Sequence, residues 1–359
     1  MKQLFLTCML MGSLVSVHAQ YSIKATNLKL ADGTKVYIEQ NGSKLDSAVV
    51  SKGEFLMKND KKIHVQYSTL RSEDNQWGSM FWFGNDNVTI NAETNEMKGV
   101  PEEDTYQAYK EWMTPVWDEM RKVDAERTAD FQKNGYANWE HYGNILKKDL
   151  KEKEDSLFLK FCDQHPRAYI CLNHIYNCRV MDKYSFKRYA AMAAHLDTTA
   201  FSNTTWETLK KLYNIDKSLE PGNKFPVKLV ATDVYGDQWS LDDYRGKYTL
   251  VVFAGANYPD YKKIYPELLS LYGELKTKNY DEYDFMITAN RKEILKQGAT
   301  CPPKWNVVSD YKSWGSSLIH DIELDHISQY YFLSPDGMIL CHTDEFSEVK
   351  EVIINTMKK

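Results

Sequence analysis

The sequence predicts a multidomain α+β chain: an N-terminal antiparallel β-sandwich, a helical middle segment and a C-terminal α/β domain. Three changes of hydrophobic period predict it. Residues 20–100 alternate in short runs, residues 101–220 repeat at helical spacing, and residues 221–359 alternate buried strands with helices. The 359 residues exceed one ordinary core. A hydrophobic fraction of 43% with 26% charged residues excludes disorder. A net charge of −5, with no basic stripe, excludes a nucleic-acid footprint.

Residues 1–19 read as a signal peptide. Lys2 starts it, an apolar run extends from Leu4 to Val17, and Val17-His18-Ala19 offers small side chains at −3 and −1. Cleavage before Gln20 is expected, which removes Cys8. Five cysteines then remain: Cys162, Cys171, Cys178, Cys301 and Cys341. No later segment approaches membrane-spanning length.

In the β-domain, Lys35 to Glu39 alternates and Asn41-Gly42 signals a hairpin turn. Ala48 to Val50, Lys52-Gly53 and Glu54 to Met57 read as a second hairpin. Met80 to Phe83, then Val88 to Ile90, continue a meander. In the middle segment, Tyr106, Tyr109, Trp112, Met113, Val116 and Trp117 fall on one helix face. Further helices are expected over 139–159 and 167–181, with Pro166 beside a helix start.

In the last part, Tyr248 to Phe253 is a continuous apolar run, as expected of a strand buried on both faces. A helix over about 260–275 follows, then strands at Phe285 to Thr288 and Tyr330 to Leu333. Ser334-Pro335-Asp336-Gly337 turns into Met338 to Cys341, a terminal hairpin.

This part resembles the thioredoxin-like domain of envelope thiol–disulfide oxidoreductases, the TlpA-like or AhpC/TSA-type family. Pro221-Gly222-x-x-Phe225-Pro226 and Asp243-Tyr244-Arg245-Gly246-Lys247 carry the likeness, with Pro266 at the place of the family's helix proline. The resemblance implies a C-x-x-C motif at the helix start, and that motif falls on Tyr258-Pro259-Asp260-Tyr261. It also implies a cis-proline, which falls on Ser328. Disulfide exchange needs a thiolate with a lowered pKa and a second thiol to resolve the mixed disulfide. Tyrosine supplies neither, and no cysteine occurs between Cys178 and Cys301. Serine also removes the usual reason for a cis bond. The β-domain and middle segment resemble the domain of unknown function and helical segment of similar envelope proteins, through Asp32-Gly33-x-Lys35-Val36-Tyr37, Asp46 to Val50 and Phe161-x-x-x-His165-Pro166.

Other constellations are weighed against plain packing. Cys171, His174 and Cys178 share a helical stripe, so a zinc or copper site is conceivable. Ile170, Leu172 and Ile175 among them favour core packing. Cys301, before Pro302-Pro303, and Cys341, in the hairpin, are read as packing or incidental thiols. Asp260 is read as complementing a helix dipole rather than as an acid or base. No phosphate loop, zinc-protease helix or nucleophile elbow occurs.

The expectation is an exported, redox-inactive thioredoxin-like protein of a Gram-negative periplasm or cell envelope. It needs no cofactor and binds an envelope protein or peptide, with Tyr258, Tyr261, Tyr265 and Tyr330 forming the binding surface. Two alternatives stand beside it. One is a thiol–disulfide oxidoreductase or peroxidase in redox homeostasis, using Cys301 or Cys341. The other is a structural envelope subunit in which the thioredoxin-like domain is scaffold.

Overall fold

A computed structural model describes residues 20–256 and 259–358. The expected signal peptide with Cys8, and Tyr258, lie outside the described residues. The chain divides into two compact units, residues up to 207 and residues from 208.

The first unit opens with two four-stranded sheets. One has the order β4-β1-β7-β8, from β1 (Tyr21–Thr26), β4 (Phe55–Asn59), β7 (Asn87–Asn91) and β8 (Glu96–Lys98). The other has the order β3-β2-β5-β6, from β2 (Lys35–Gln40), β3 (Ser43–Val49), β5 (Gln66–Ser72) and β6 (Gly78–Phe83). Alternate residues of both sheets meet in one core, including Ile23 and Val88 from one, Ile38, Leu70 and Phe81 from the other.

The expectation of a wholly antiparallel β-domain is corrected at one pair. β1 runs parallel to β7, with Ile23 opposite Val88. A parallel pair needs a long connection, and sixty residues of chain separate these two strands. The Asn41-Gly42 turn joins β2 to β3 as expected, with both residues at positive φ. The Lys52-Gly53 turn also forms, closed by reciprocal hydrogen bonds between Ser51 and Glu54 (2.9 and 3.0 Å). However, β3 and β4 then enter different sheets, as do β6 and β7, so the expected second hairpin and meander are sandwich crossings.

Helix α1 (Pro101–Asn134) buries Tyr109, Met113 and Val116, while Trp112 stays at the edge of the stripe. Pro101 occupies its first turn, where the missing N–H leaves no bond unmade. Glu103 accepts the Trp82 backbone N–H at 3.0 Å, tying this helix to β6. Helix α2 (Trp139–Asn144) and a π-helical turn (Ile145–Leu150) lead to α3 (Lys151–Gln164), α4 (Tyr169–Val180), α5 (Phe186–Ala193) and α6 (Thr204–Ser218).

The second unit is built on a seven-stranded sheet of order β10-β9-β13-β12-β11-β14-β15. Its interior holds β11 (Tyr248–Ala254), parallel to the middle strand β12 (Tyr280–Met286), which is parallel to β13 (Asn306–Ser309). Helix α7 (Pro259–Leu275) connects β11 to β12, and α8 (Arg291–Thr300) connects β12 to β13. After the short α9 (Ser317–His320), β14 (Gln329–Leu333) and β15 (Ile339–Thr343) form the terminal hairpin, and α10 (Phe346–Met357) ends the chain. β9 (Val230–Asp233) and β10 (Gln238–Ser240) complete the other edge. This is the strand plan that the resemblance implied.

The apolar run of β11 is buried on both faces. Leu250 and Val252 pack with Leu268, Leu271, Phe332 and Val349, whereas Val251 and Phe253 pack with Phe285, Tyr331 and Ile319. Each such leucine removed from water contributes about 1.5–3 kcal/mol.

Candidate functional site

The register of the sheet brings the sequence-predicted residues to one edge. β11 ends at Ala254 and α7 begins at Pro259, with Asp260 its second residue. β14 runs antiparallel to β11, with Gln329 opposite Phe253, so Ser328 sits at the same end as the start of α7. The Ile327–Ser328 peptide bond is cis. The expectation that serine would dispense with a cis bond is therefore corrected: the backbone keeps this conformation without proline.

Tyr261, at the second cysteine position of the implied motif, is 1% exposed. Its hydroxyl donates to Asp284 Oδ2 at 2.6 Å, and Trp305 Nε1 donates to the same oxygen at 2.6 Å. Asp284 Oδ1 is buried and has no partner. Burial pushes the Asp284 carboxyl up to about 7, against the opposing pull of these two donors. Burial and the neighbouring carboxylate push the Tyr261 phenol well above its usual range. Two residues along β12, Glu282 accepts the Tyr280 hydroxyl at 2.9 Å, and burial also raises this carboxyl strongly. A phenol held this way is a hydrogen-bond donor to a buried acid, not a nucleophile.

Among the described residues the expected tyrosine surface is not formed. Tyr261, Tyr265 and Tyr330 are all buried in the sheet's α7-side core. Tyr261 and Tyr265 stand four residues apart on the inward stripe of α7, with Leu268 continuing it, so helical spacing turns them to the core. Tyr265 spends its hydroxyl on the Pro302 carbonyl at 2.7 Å.

What the edge does present is a groove of about 440 Å³ between α7, the Ser328 loop and the start of α10. Ile264, Ile327, Tyr330 and Phe346 supply its apolar lining, and Lys263, Glu267, His326 and Asp344 its charged rim. His326 Nδ1 lies 2.6 Å from Asp325 Oδ1, and its Nε2 lies 3.6 Å from Asp344 Oδ2. Those two carboxylates raise the imidazole to about 9, so it carries charge at neutral pH. Behind it, Gln329 Oε1 accepts the Tyr331 hydroxyl at 3.1 Å and lies 3.2 Å from His342 Nε2.

The five cysteines among the described residues are all free. Cys301 is buried at the C-terminal end of α8, within the same core as Tyr261. Cys341 is half-buried on β15, and burial pushes its thiol up to about 11. β12, β11 and β14 lie between β13, which follows Cys301 in the chain, and β15, which carries Cys341.

The Cys171, His174, Cys178 stripe of α4 packs inward against α1 and α3. His174 Nδ1 meets the Tyr109 hydroxyl at 2.9 Å, and its ring stacks on Phe158 with centroids 4.0 Å apart. Burial lowers its pKa to about 4, so the ring is neutral, and its Nε2 has no partner. A bond to Cys162 and burial push the Cys171 thiol far up, and burial pushes Cys178 to about 12. The near neighbour of Cys171 is thus Cys162 on α3, not Cys178 on its own helix. Among the described residues, no group of three or more His, Cys, Asp or Glu side chains is placed to hold a metal ion.

Sequence reasoning missed Asp284, Trp305 and His326. The signal for the first was present: Tyr280, Glu282 and Asp284 fall at every second position, on one face of a strand that carries Tyr283 and Phe285 on the other.

Comparison with known proteins adds the following. The family described as a domain of unknown function, DUF4369, matches residues 21–109. No curated protein matches. Among solved structures, the chain is similar to the thioredoxin domain of a thiol-disulfide oxidoreductase from Bacteroides vulgatus, at 23% identity and a TM-score of 0.37, covering 39% of this chain and 99% of that one. A thiol:disulfide interchange protein from Bacteroides sp. is 22% identical with a TM-score of 0.37, covering 40% and 93%. A thiol-disulfide oxidoreductase from Bacteroides fragilis is 20% identical with a TM-score of 0.34, covering 38% of this chain and 98% of that one.

Proposed function

We propose that this chain is an exported cell-envelope protein whose thioredoxin-like domain performs no thiol chemistry and instead binds an extended polypeptide in the groove beside Ser328. One observation carries the reading. At the helix start, where disulfide exchange would need a pair of thiols, the sequence supplies Tyr258 and Tyr261, of which Tyr261 is buried and bonded to Asp284, while an apolar-lined groove with a charged rim remains next to it. Residues 1–19 support export through their signal-peptide pattern. An extended peptide would lay apolar side chains against Ile264 and Phe346 and meet both signs of charge at Lys263, Glu267 and His326.

The test has two arms. The mature protein is assayed for insulin reduction with dithiothreitol and for peroxide turnover, with Cys301→Ser as control. No acceleration is expected, and an activity lost in Cys301→Ser would replace this reading with the oxidoreductase one. The same protein is titrated with reduced, carboxymethylated lactalbumin by calorimetry. Saturable binding that Ile264→Asp abolishes is expected, and binding indifferent to that change would remove the groove from the account.

A further inference from the structure

A second concavity, separate from the groove, lies on the other side of α7, with a volume of about 410 Å³. Its walls come from α8 (Ile294, Gln297, Gly298), from Tyr261 of α7, and from Cys301 and Trp305 ahead of β13. The volume falls in the range of small-molecule sites. Three observations fix the chemistry that would occupy it.

The walls are apolar and aromatic, and the apolar character reaches solvent. Leu295 is 47% exposed and Tyr235 84% exposed at the rim, an arrangement that favours an apolar ligand entering between them. Charge is excluded next. Among the described residues the lining holds no lysine, arginine or histidine, and its one ionised group is Asp233. That carboxylate is already engaged: Oδ1 accepts the backbone N–H groups of Tyr235, Gly236 and Asp237 at 2.8, 2.9 and 3.0 Å, and Oδ2 accepts Trp239 Nε1 at 3.1 Å. An anion would find no counter-charge in the lining, and the one carboxylate already accepts four hydrogen bonds from its own chain.

The third observation is an orphaned acceptor. Gln297, in the wall, is 5% exposed, and its Oε1 is buried without a hydrogen-bond partner. Buried polar atoms are paired in the great majority of cases, and an exception at a cavity wall calls for a donor from outside the chain. Beside it, Gly298 stands inside α8, and a Cβ added there meets nothing within 4 Å.

We propose that this cavity binds a neutral aromatic small molecule carrying a single hydrogen-bond donor, its ring against Trp305 and Leu295 and its donor on Gln297 Oε1. This site is independent of the polypeptide groove and stands or falls separately from it.

The full chain is titrated by calorimetry with indole, 1-methylindole and indole-3-acetate. Indole supplies ring and donor, 1-methylindole the ring alone, and indole-3-acetate adds an anion. Saturable one-to-one binding of indole is expected, with 1-methylindole about tenfold weaker, the size of one unmade hydrogen bond. Indole-3-acetate is expected to bind more weakly than indole. Gly298→Phe, which places a ring in the open space, should abolish indole binding. Gln297→Leu should leave indole and 1-methylindole equal. Circular dichroism checks that each variant is folded, and if Gly298→Phe is not, the Gln297→Leu comparison decides. No saturable indole binding at millimolar concentration overturns the proposal. So does equal binding of indole and 1-methylindole to the wild type, tighter binding of the anion, or indole binding unchanged in folded Gly298→Phe.

Discussion

Asp284 in the central sheet of the C-terminal unit and His174 in the helical part of the first unit solve the same problem in opposite directions. Each is a titratable group placed in a core, and burial disfavours its charged form. The acid responds by rising to about 7 and the base by falling to about 4. Their partners differ. One oxygen of Asp284 takes two donors, Tyr261 and Trp305, whereas His174 keeps one polar partner, Tyr109, and a stacked phenyl ring. Two donors on one oxygen are a provision for negative charge, because hydrogen bonds to an ionised acceptor are about twice as strong as neutral ones. A neutral imidazole with one bond is a packing element. The sheet thus keeps a polar centre beside the start of α7, while the helices use their cysteines and histidine as small core residues.

The largest consequence is a difference in pH dependence. A carboxyl whose folded pKa lies above its unfolded value of about 3.9 destabilises the fold when ionised. The penalty is fully present above pH 7 and is relieved as the pH falls toward 4. For Asp284 the three-unit rise corresponds to at most on the order of 4 kcal/mol. His174 carries the reverse sign. Its folded pKa is depressed, so its contribution is intact above about pH 6.5 and is lost as the pH falls toward 4. Glu102, whose carboxyl caps the start of α4 through the Tyr169 and Ile170 N–H groups, is raised to about 7 by burial and partly offsets His174 in the first unit. Variants isolate each group. Lowering the pH from 8 to 5 should increase amide-exchange protection in β12, and Asp284→Asn should flatten that rise. Over the range from 7 to 5, His174→Gln should be less acid-sensitive in α4 than the wild type. If Asp284→Asn keeps the full wild-type slope, the buried acid is not the group responsible, and the comparison fails.

Tyr261→Phe is the next largest effect. It removes one of the two donors to Asp284, at about 1–3 kcal/mol when the acceptor is charged and about 1 kcal/mol when it is neutral. The loss should therefore be greater at pH 8 than at pH 5. Urea unfolding at both values, read from the transition of the C-terminal unit, checks it. Equal losses would mean that the carboxyl is protonated throughout and that the two donors serve packing alone.

How far the residues themselves disclosed these arrangements depends on the range of the interaction involved. The β11 strand was legible because Tyr248 to Phe253 contains no charged residue and ends in four apolar residues in a row, which leave no solvent face. The Asn41-Gly42 and Lys52-Gly53 turns were legible because positive φ is a local demand. Which sheet a strand joins after its turn is not local, so β3 and β4, and β6 and β7, looked like neighbours and are not. The same limit hid the site. Tyr261 was identified by its position in the helix start, but its role comes from Asp284, twenty-three residues away, and Trp305. Clustered tyrosines near a helix start suggested a surface, and only the i, i+4 spacing of Tyr261 and Tyr265 along α7 pointed inward.

The smallest effect tests the other half of the comparison. Tyr109→Phe removes the one polar bond that His174 makes through Nδ1, without changing the packing of the ring against Phe161 and Trp117. Both partners are neutral at pH 7, so the expected loss is about 1 kcal/mol, the usual net value of a neutral pair. It should not depend on pH between 7 and 9, because neither group changes charge there: burial holds His174 down and the Tyr109 phenol well above its ordinary range. Thermal unfolding of the first unit at the two pH values measures this directly. A loss that grows with pH would mean that the Tyr109 hydroxyl is ionising, and the helical core would then hold a charged centre like that of the sheet. A constant, small loss keeps the two regions distinct, with charge accommodated at Asp284 and excluded at His174.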